Sequence, residues 1–297
     1  MVGKVAAKVT CFFFSSVLFA TAVWPQLRVS SSQELEVYTP LNPYPRFPAG
    51  RPKVPDELLQ KFKTVTVEEA WQVLREKGYL YQWEGNWRIV HPEVKLVGRA
   101  VTAQFMPHRP DLNDVIDRHA REEGLTVEHN LRVIDVLQKD DVVVVDLFGK
   151  IAEGIFVGGN LSAAIDARTG TGMVIDGGLR DVGEVIPISN LVAYSRGFHP
   201  AALAGVMLTG INIPVRIGNV TVVPGDIVLG DPGGVIFIPP HLVEDVLKHS
   251  EAISLHDEFT KMKMREGKYL PSQIYPIMSD TVRKEYDEWL KKRKGGK

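Results

Sequence analysis

Cysteine is nearly missing from this chain: of 297 residues only Cys11 is one, and it stands in an N-terminal stretch that reads as a removable leader. Disulfides, thiolate zinc sites and cysteine nucleophiles are therefore excluded from the rest of the sequence. A surplus of basic residues is missing too. The formal net charge is −1, so there is no broad patch to grip a phosphate backbone, and no nucleic-acid partner is expected. The lysine-rich end, Lys291 to Lys297, is a short solvated terminus. No H-E-x-x-H or G-x-S-x-G occurs, which removes support for a zincin or a serine hydrolase. The run VVVVDLFGKIAEG (Val142–Gly154) puts glycines after a strand but lacks the dense G-x-G core that a nucleoside cofactor approaches, which argues against a methyltransferase. There is no internal repeat.

What is present suits a folded α/β protein. Hydrophobic residues make up 44% and charged residues 24%, enough for one large domain or two small ones. Residues 1–22 carry Lys4 and Lys8, an apolar stretch from Cys11, and the small-residue site Ala20-Thr21-Ala22. That is the pattern of a Sec-type signal peptide cut after Ala22, with export to a periplasm or the exterior. The apolar stretch falls short of the roughly 20 residues of a spanning helix, so membrane contact is expected only through this segment if it stays uncleaved. Residues 23–55 are rich in Ser, Pro and Arg and read as an extended arm or linker lying on another surface.

Residues 56–265 read as one domain. Thr66 and Glu69 form a capping box that opens a helix through Trp71, Val73 and Leu74, ended by Gly78. Val94–Phe105 is β-rich, and Leu112–Glu123 is charged and helical. The four valines Val142–Val145 suit a strand covered on both faces. A helix over Leu161–Arg168, stopped by Gly170 and Gly172, and a strand at Met173–Ile175 complete a strand–loop–helix–strand crossover, with its loops at the carboxyl ends of the strands. Ile211–Pro240 alternates β-rich runs with glycine and proline turns and predicts an antiparallel meander. A helix from His241 to Arg265 closes the core, and residues 266–297 read as a C-terminal arm. The plan is α/β with a mixed sheet.

Two glycine-rich strand ends meet in that plan. Val157-Gly158-Gly159-Asn160-Leu161 opens a helix and offers free backbone N–H groups to a carboxylate or phosphate. Asp176-Gly177-Gly178-Leu179-Arg180-Asp181 follows the next strand. Arg180 can grip a carboxylate in two places, and Asp181 is a hard oxygen ligand able to hold Mg²⁺ or Mn²⁺ through one carboxylate and several waters. Anion cradle, arginine and metal together suit a small 2-oxo acid whose polarised carbonyl stabilises an enolate. No Schiff-base lysine is needed, and Lys150 has no feature that would lower its pKa. The alternative is an exposed Arg180–Asp181 ion pair on an ordinary turn, worth about 0–1 kcal/mol.

The spacing Gly159, twenty residues, Arg180-Asp181, two residues, Glu184 resembles the G-x20-R-D-x2-E/D pattern of the RraA-like family. That family includes 4-hydroxy-4-methyl-2-oxoglutarate aldolases and oxaloacetate decarboxylases. VKLVGRAVTAQF, SRGFHP and IPVRIGNVTVVPGDIVLGDPGGVIFIP resemble further family segments, so the likeness spans about residues 60–265. The resemblance implies a single swivelling-type β/β/α domain and a trimer or hexamer with its site between subunits. It also implies metal on Asp181, substrate and enolate on Arg180, and a substrate carboxylate on the amides of Gly158, Gly159, Asn160 and Leu161. An acidic residue from a neighbour's C-terminal helix, for which Glu258 is the candidate, would order metal-bound water. Glu184 would support the site or carry a helix-start charge. The implied activity is a metal-dependent aldolase or decarboxylase; the alternative is a non-catalytic protein-binding regulator, since some members dock on an RNA-degrading enzyme. The sequence departs from relatives at Asn160, where an acidic residue is common, and at His199, which reads as a surface loop residue. Gly124–Leu137 reads as an insertion.

Overall fold

The computed structural model describes residues 28–294. Residues 1–27, with the segment expected to be a signal peptide and Cys11, and the last three residues of the lysine tail lie outside the described residues. Among the described residues no helix is long and apolar enough to cross a membrane.

Residues 28–55 lie on the chain's own domain, not on another surface. β1 (Arg28–Val29) pairs in parallel with Gly210–Ile211, and α1 (Ser32–Tyr38) follows a Ser31–Glu34 capping box. Arg51 is buried and its guanidinium meets the buried Asp141 at 2.7 Å. Arg99, also buried, holds the Val54 carbonyl at 2.7 Å and Asp56 at 2.8 Å. Such buried charges persist because each is paired.

α2 (Asp56–Phe62) leads to α3 (Val67–Glu76). The Thr66 hydroxyl accepts from the Glu69 amide at 3.2 Å, and the Glu69 carboxylate accepts from the Thr66 amide at 2.9 Å. Val67, Ala70, Val73 and Leu74 form the buried stripe expected of helical spacing. Then come β2 (Trp83–Glu84), β3 (Arg88–Val90), β4 (Leu96–Pro107), α4 (Pro110–Glu122) and α5 (His129–Asp135). The crossover consists of β5 (Asp141–Val157), α6 (Gly159–Thr169) and β6 (Gly172–Leu179), followed by the single turn α7 (Val182–Val185). Strands β7 (Val192–Phe198), β8 (Val206–Ile211), β9 (Val215–Ile217), β10 (Val220–Val222), β11 (Ile227–Asp231) and β12 (Gly234–Ile238) come next. Helices α8 (Val243–Arg265), α9 (Pro271–Ile274) and α10 (Asp280–Lys294) end the described chain.

The main sheet is mixed, in the order β2-β12-β11-β4-β5-β6-β7-β3, with β8 attached to β4 and β1 to β8. Its centre, β4 to β7, is parallel, and both flanks are antiparallel. The valine run behaves as its composition demands: Val143 and Val145 enter one core cluster, Val142 and Val144 the cluster on the other face. A third cluster lies beneath α2, α3 and α8. The distal half of α8 builds a fourth with the C-terminal helices, through Phe259, Ile274, Met278, Val282 and Tyr286.

Three sequence expectations need correcting. β5 does not stop at the valines but runs on along β6 to Val157 through register shifts, with left-handed backbone at Phe148, Gly149 and Glu153. Gly177 and Gly178 are not a loop but lie inside β6. A Cβ at Gly178 would stand 2.4 Å from Ile155 and 2.7 Å from the Ile151 carbonyl, so these glycines admit the overhanging end of β5 rather than make a turn. The predicted meander is divided as well: β9 and β10 form a separate hairpin, while β11 and β12 join the main sheet.

Candidate functional site

Adjacent parallel strands bring the two glycine-rich segments together. β5 ends at Val157 and hands the chain to α6 through Gly158, in extended backbone and with no side-chain cap. The first amides of α6 therefore lack partners within the helix. β6 ends at Leu179, and the Arg180 amide still donates to the Val157 carbonyl at 3.3 Å. The chain then turns sharply because Asp181 adopts a left-handed conformation, φ 54° and ψ 38°, a region that Asp and Asn enter more readily than other non-glycine residues.

That turn aims both side chains at α6. Asp181 Oδ2 accepts from the Gly159 amide at 3.4 Å and forms an ion pair with Arg180 Nε at 3.2 Å. Both side chains remain about 40% exposed, at 39% and 40%, and are free to meet a ligand. The glycines are required by this approach. A Cβ on Gly158 would fall 2.2 Å from Asp181 Oδ2 and 2.9 Å from Arg180 Nε, and one on Gly159 would fall 2.1 Å from Glu184 Oε2. Glu184 thus leans over the start of α6. Asp181 already takes the Gly159 amide, which leaves those of Asn160 and Leu161 for a ligand; the cradle is narrower than the sequence suggests.

The site opens into a cleft of about 780 Å³ whose walls include Gly158 to Leu161, Arg180, Asp181 and Glu184. Glu258 is not among them. It sits on α8, paired with Arg293 of α10 at 2.9 Å, so within one chain the structure does not bring it to Arg180 and Asp181. His199 also lies elsewhere, its Nδ1 accepting from the Ala201 amide at 3.2 Å. Arg196 of the SRGFHP segment is a strand residue that bonds Asp176 at 2.6 Å and Glu84 at 3.0 Å, with its guanidinium 3.8 Å above the Trp87 ring. It braces the sheet rather than the cleft.

Another wall comes from α4 together with the supposed insertion at Gly124–Leu137, a role the sequence reading missed. Asn113 and Asp117 of α4 and Glu128, His129 and Asn130 at the start of α5 line it. His129 Nδ1 accepts from the Leu208 amide at 3.1 Å, so Nε2 carries the proton and donates to Asp117 at 3.1 Å. Arg132, buried behind them, reaches Asp117 at 3.1 Å. Burial holds His129 below the ordinary histidine range, helped by the Arg132 charge. Burial pushes the Asp117 carboxyl up, but its bonds from His129 and Asn113 and the Arg132 charge outweigh it and leave the group below the usual aspartate range. The only sequence signal was an Asp and a His twelve residues apart across a glycine turn, too loose a spacing to mark a pair.

Among the described residues no group of three or more His, Cys, Asp or Glu side chains converges on one point, so a closed protein cage for a metal is absent there. Asp181 keeps Oδ1 unengaged beside the cleft, which fits a hard cation held by one carboxylate and water.

A mixed α/β sheet carrying a glycine-opened helix against an arginine–aspartate turn defines the class of fold. The chain belongs to the RraA-like family, described as Aldolase/RraA, whose sequence profile matches residues 64–237. A Halalkalibacterium halodurans protein that bears the provisional name 4-hydroxy-4-methyl-2-oxoglutarate aldolase is 28% identical over 173 residues, 55% of this chain and 81% of its own length. Protein DlpA of Legionella pneumophila is 31% identical over 180 residues, 60% of this chain but only 27% of the Legionella protein. Among solved structures, the Streptomyces coelicolor protein RraAS2, titled an unusual member of the RNase ES inhibitor RraA family, superposes with a TM-score of 0.61. It has 24% identity and covers 74% of this chain and all of its own, which establishes the shared fold.

Proposed function

We propose that the chain is a divalent-metal-dependent carbon–carbon lyase that cleaves or decarboxylates a small 2-oxo acid through a pyruvate enolate. One observation carries this reading: the Arg180 and Asp181 side chains lie directly against the start of α6, beside its free Asn160 and Leu161 amides, and all of them line one open cleft. The provisional aldolase name of the Halalkalibacterium relative supports it.

Mg²⁺ or Mn²⁺ on Asp181 would supply polarisation of the keto oxygen. The amides of Asn160 and Leu161 bind the substrate carboxylate at the positive end of the helix. Arg180 offers fixed donors to the oxygen on which charge develops, a contribution of several kcal/mol in a site shielded from water. In the retro-aldol direction the C3–C4 bond breaks, C4 becomes a carbonyl as its hydroxyl loses a proton, and the electron pair passes into the C2–C3 enolate. Protonation at C3 then yields pyruvate.

The test is pyruvate release from oxaloacetate and 4-hydroxy-4-methyl-2-oxoglutarate with Mg²⁺ or Mn²⁺. Arg180→Ala should lower kcat/KM by roughly 10²-fold or more, and a chelator should abolish release. Absence of metal binding, with wild type and variant alike inactive, would favour a non-catalytic binding role. The proposal extends to a homotrimer or hexamer in which Glu258 of one subunit reaches the next subunit's cleft, checked by sedimentation. It also includes export by the N-terminal signal, checked by the mass of the protein outside the cytoplasm.

A further inference from the structure

The cleft is lopsided in charge and in hydrogen-bonding sense. Arg180 is the one Lys or Arg among its described lining residues, whereas Asp117, Glu128, Asp181 and Glu184 are acidic. On the wall made by α4 and α5, the side-chain donors of His129 and Asn130 are engaged inside the protein. His129 gives its Nε2 proton to Asp117, and Asn130 Nδ2 donates to the Phe156 carbonyl at 2.9 Å; Arg132, only 2% exposed, lies behind the lining, with Nη2 on Asp117 and its buried Nε and Nη1 unpartnered.

What remains on that wall accepts. Asn113 Nδ2 donates to Asp117 Oδ2 at 2.9 Å, which fixes the amide's orientation because a carboxylate can only accept. Asn113 Oδ1 is then a buried acceptor with no donor. Glu128 stands exposed at the cap position of α5, where its side chain makes no capping bond, and adds a second acceptor. His108, exposed at the rim, is a remaining donor. A substrate carboxylate directed at this wall would bring negative charge and no proton to surfaces that need protons. A hydroxyl-bearing chain brings donors.

We infer that the far end of the substrate carries hydroxyl groups and no charge, so the preferred substrate is a polyhydroxylated 4-hydroxy-2-oxo acid of the sugar-acid type, not a dicarboxylate. This rests on the lyase reading and narrows it. Cleavage is redox-neutral: the C3–C4 bond breaks, the C4 hydroxyl proton passes to solvent, C4 becomes an aldehyde, and C3 takes a proton from solvent to give pyruvate.

The experiment measures kcat/KM for pyruvate release, with Mn²⁺, from 2-oxo-3-deoxy hexonic and pentonic acids against 4-hydroxy-4-methyl-2-oxoglutarate and oxaloacetate. The hydroxylated acids should lead by about tenfold or more, the scale set by leaving polar groups of a site unpaired. Glu128→Lys should narrow or reverse that lead by improving the dicarboxylates. Asn113→Leu should weaken the hydroxylated acids more than the dicarboxylates. Because Glu128 is exposed, its variant remains informative even if Asn113→Leu fails to fold. Dicarboxylates that match or exceed the hydroxylated acids overturn the inference and leave the lyase reading standing, whereas no pyruvate from either group overturns both. A preference unchanged by Glu128→Lys removes the α4–α5 wall from the explanation and overturns the inference.

Discussion

Gly158 and Gly178 make the same kind of close approach for different reasons, and substitution separates them. At Gly158 the added carbon meets the flexible, half-exposed ends of Asp181 and Arg180. Gly158→Ala should therefore leave the melting temperature close to wild type and abolish most pyruvate release. At Gly178 it meets a buried side chain and a backbone carbonyl, and overpacking of that kind costs about 1–3 kcal/mol. Gly178→Ala should lower the midpoint of denaturant unfolding. Asp226 gives a residue-level pH dependence. It is buried, accepts one backbone bond from Val223 at 2.8 Å, and burial pushes its carboxyl up to about 7. An acid raised in the folded state contributes stability fully below its unfolded value and loses it as pH rises through the folded one. Asp226→Asn should thus gain stability over wild type at pH 8, by about 1 kcal/mol or more, and show no such gain at pH 4. Unfolding curves at the two pH values check this.

Elements with a local chemical reason to exist were legible in the sequence. The Thr66–Glu69 box opened α3 where expected, and Thr66→Ala should cost about 1 kcal/mol of unfolding free energy, read from chemical denaturation. The valine run, the helix at α6 and the juxtaposition of Arg180-Asp181 with Gly158 to Leu161 followed from periodicity and parallel crossover rules. What escaped was set by distant contacts. The continuation of β5 past Asp146 depends on pairing with β6, which a glycine-containing stretch does not announce. Gly177 and Gly178 read as turn residues because nothing local reveals Ile151 and Ile155 above them. The wall of α4 and α5 depends on Asp117, His129 and Arg132 meeting in space. The role of Glu258 was argued from likeness alone, and within one chain it pairs with Arg293.

At the scale of the whole molecule, the cluster around Phe259 shares no residue with the other three buried clusters. Phe259→Ala removes its most enclosed ring, a loss worth about 3–5 kcal/mol in a packed core. Hydrogen exchange should accelerate across residues 266–290 while β4 to β7 stay protected. The pairing of Arg51 with Asp141 and of Arg99 with Asp56 bears on how the protein can be shortened. The window shared with relatives starts at residue 64, downstream of Arg51 and Asp56. An expression fragment trimmed to that window would take Arg51 from Asp141 and Asp56 from Arg99 and bare the surface that Val54, Leu59 and Phe62 cover. Such a fragment should emerge insoluble, whereas one retaining residue 28 onward should stay in the supernatant.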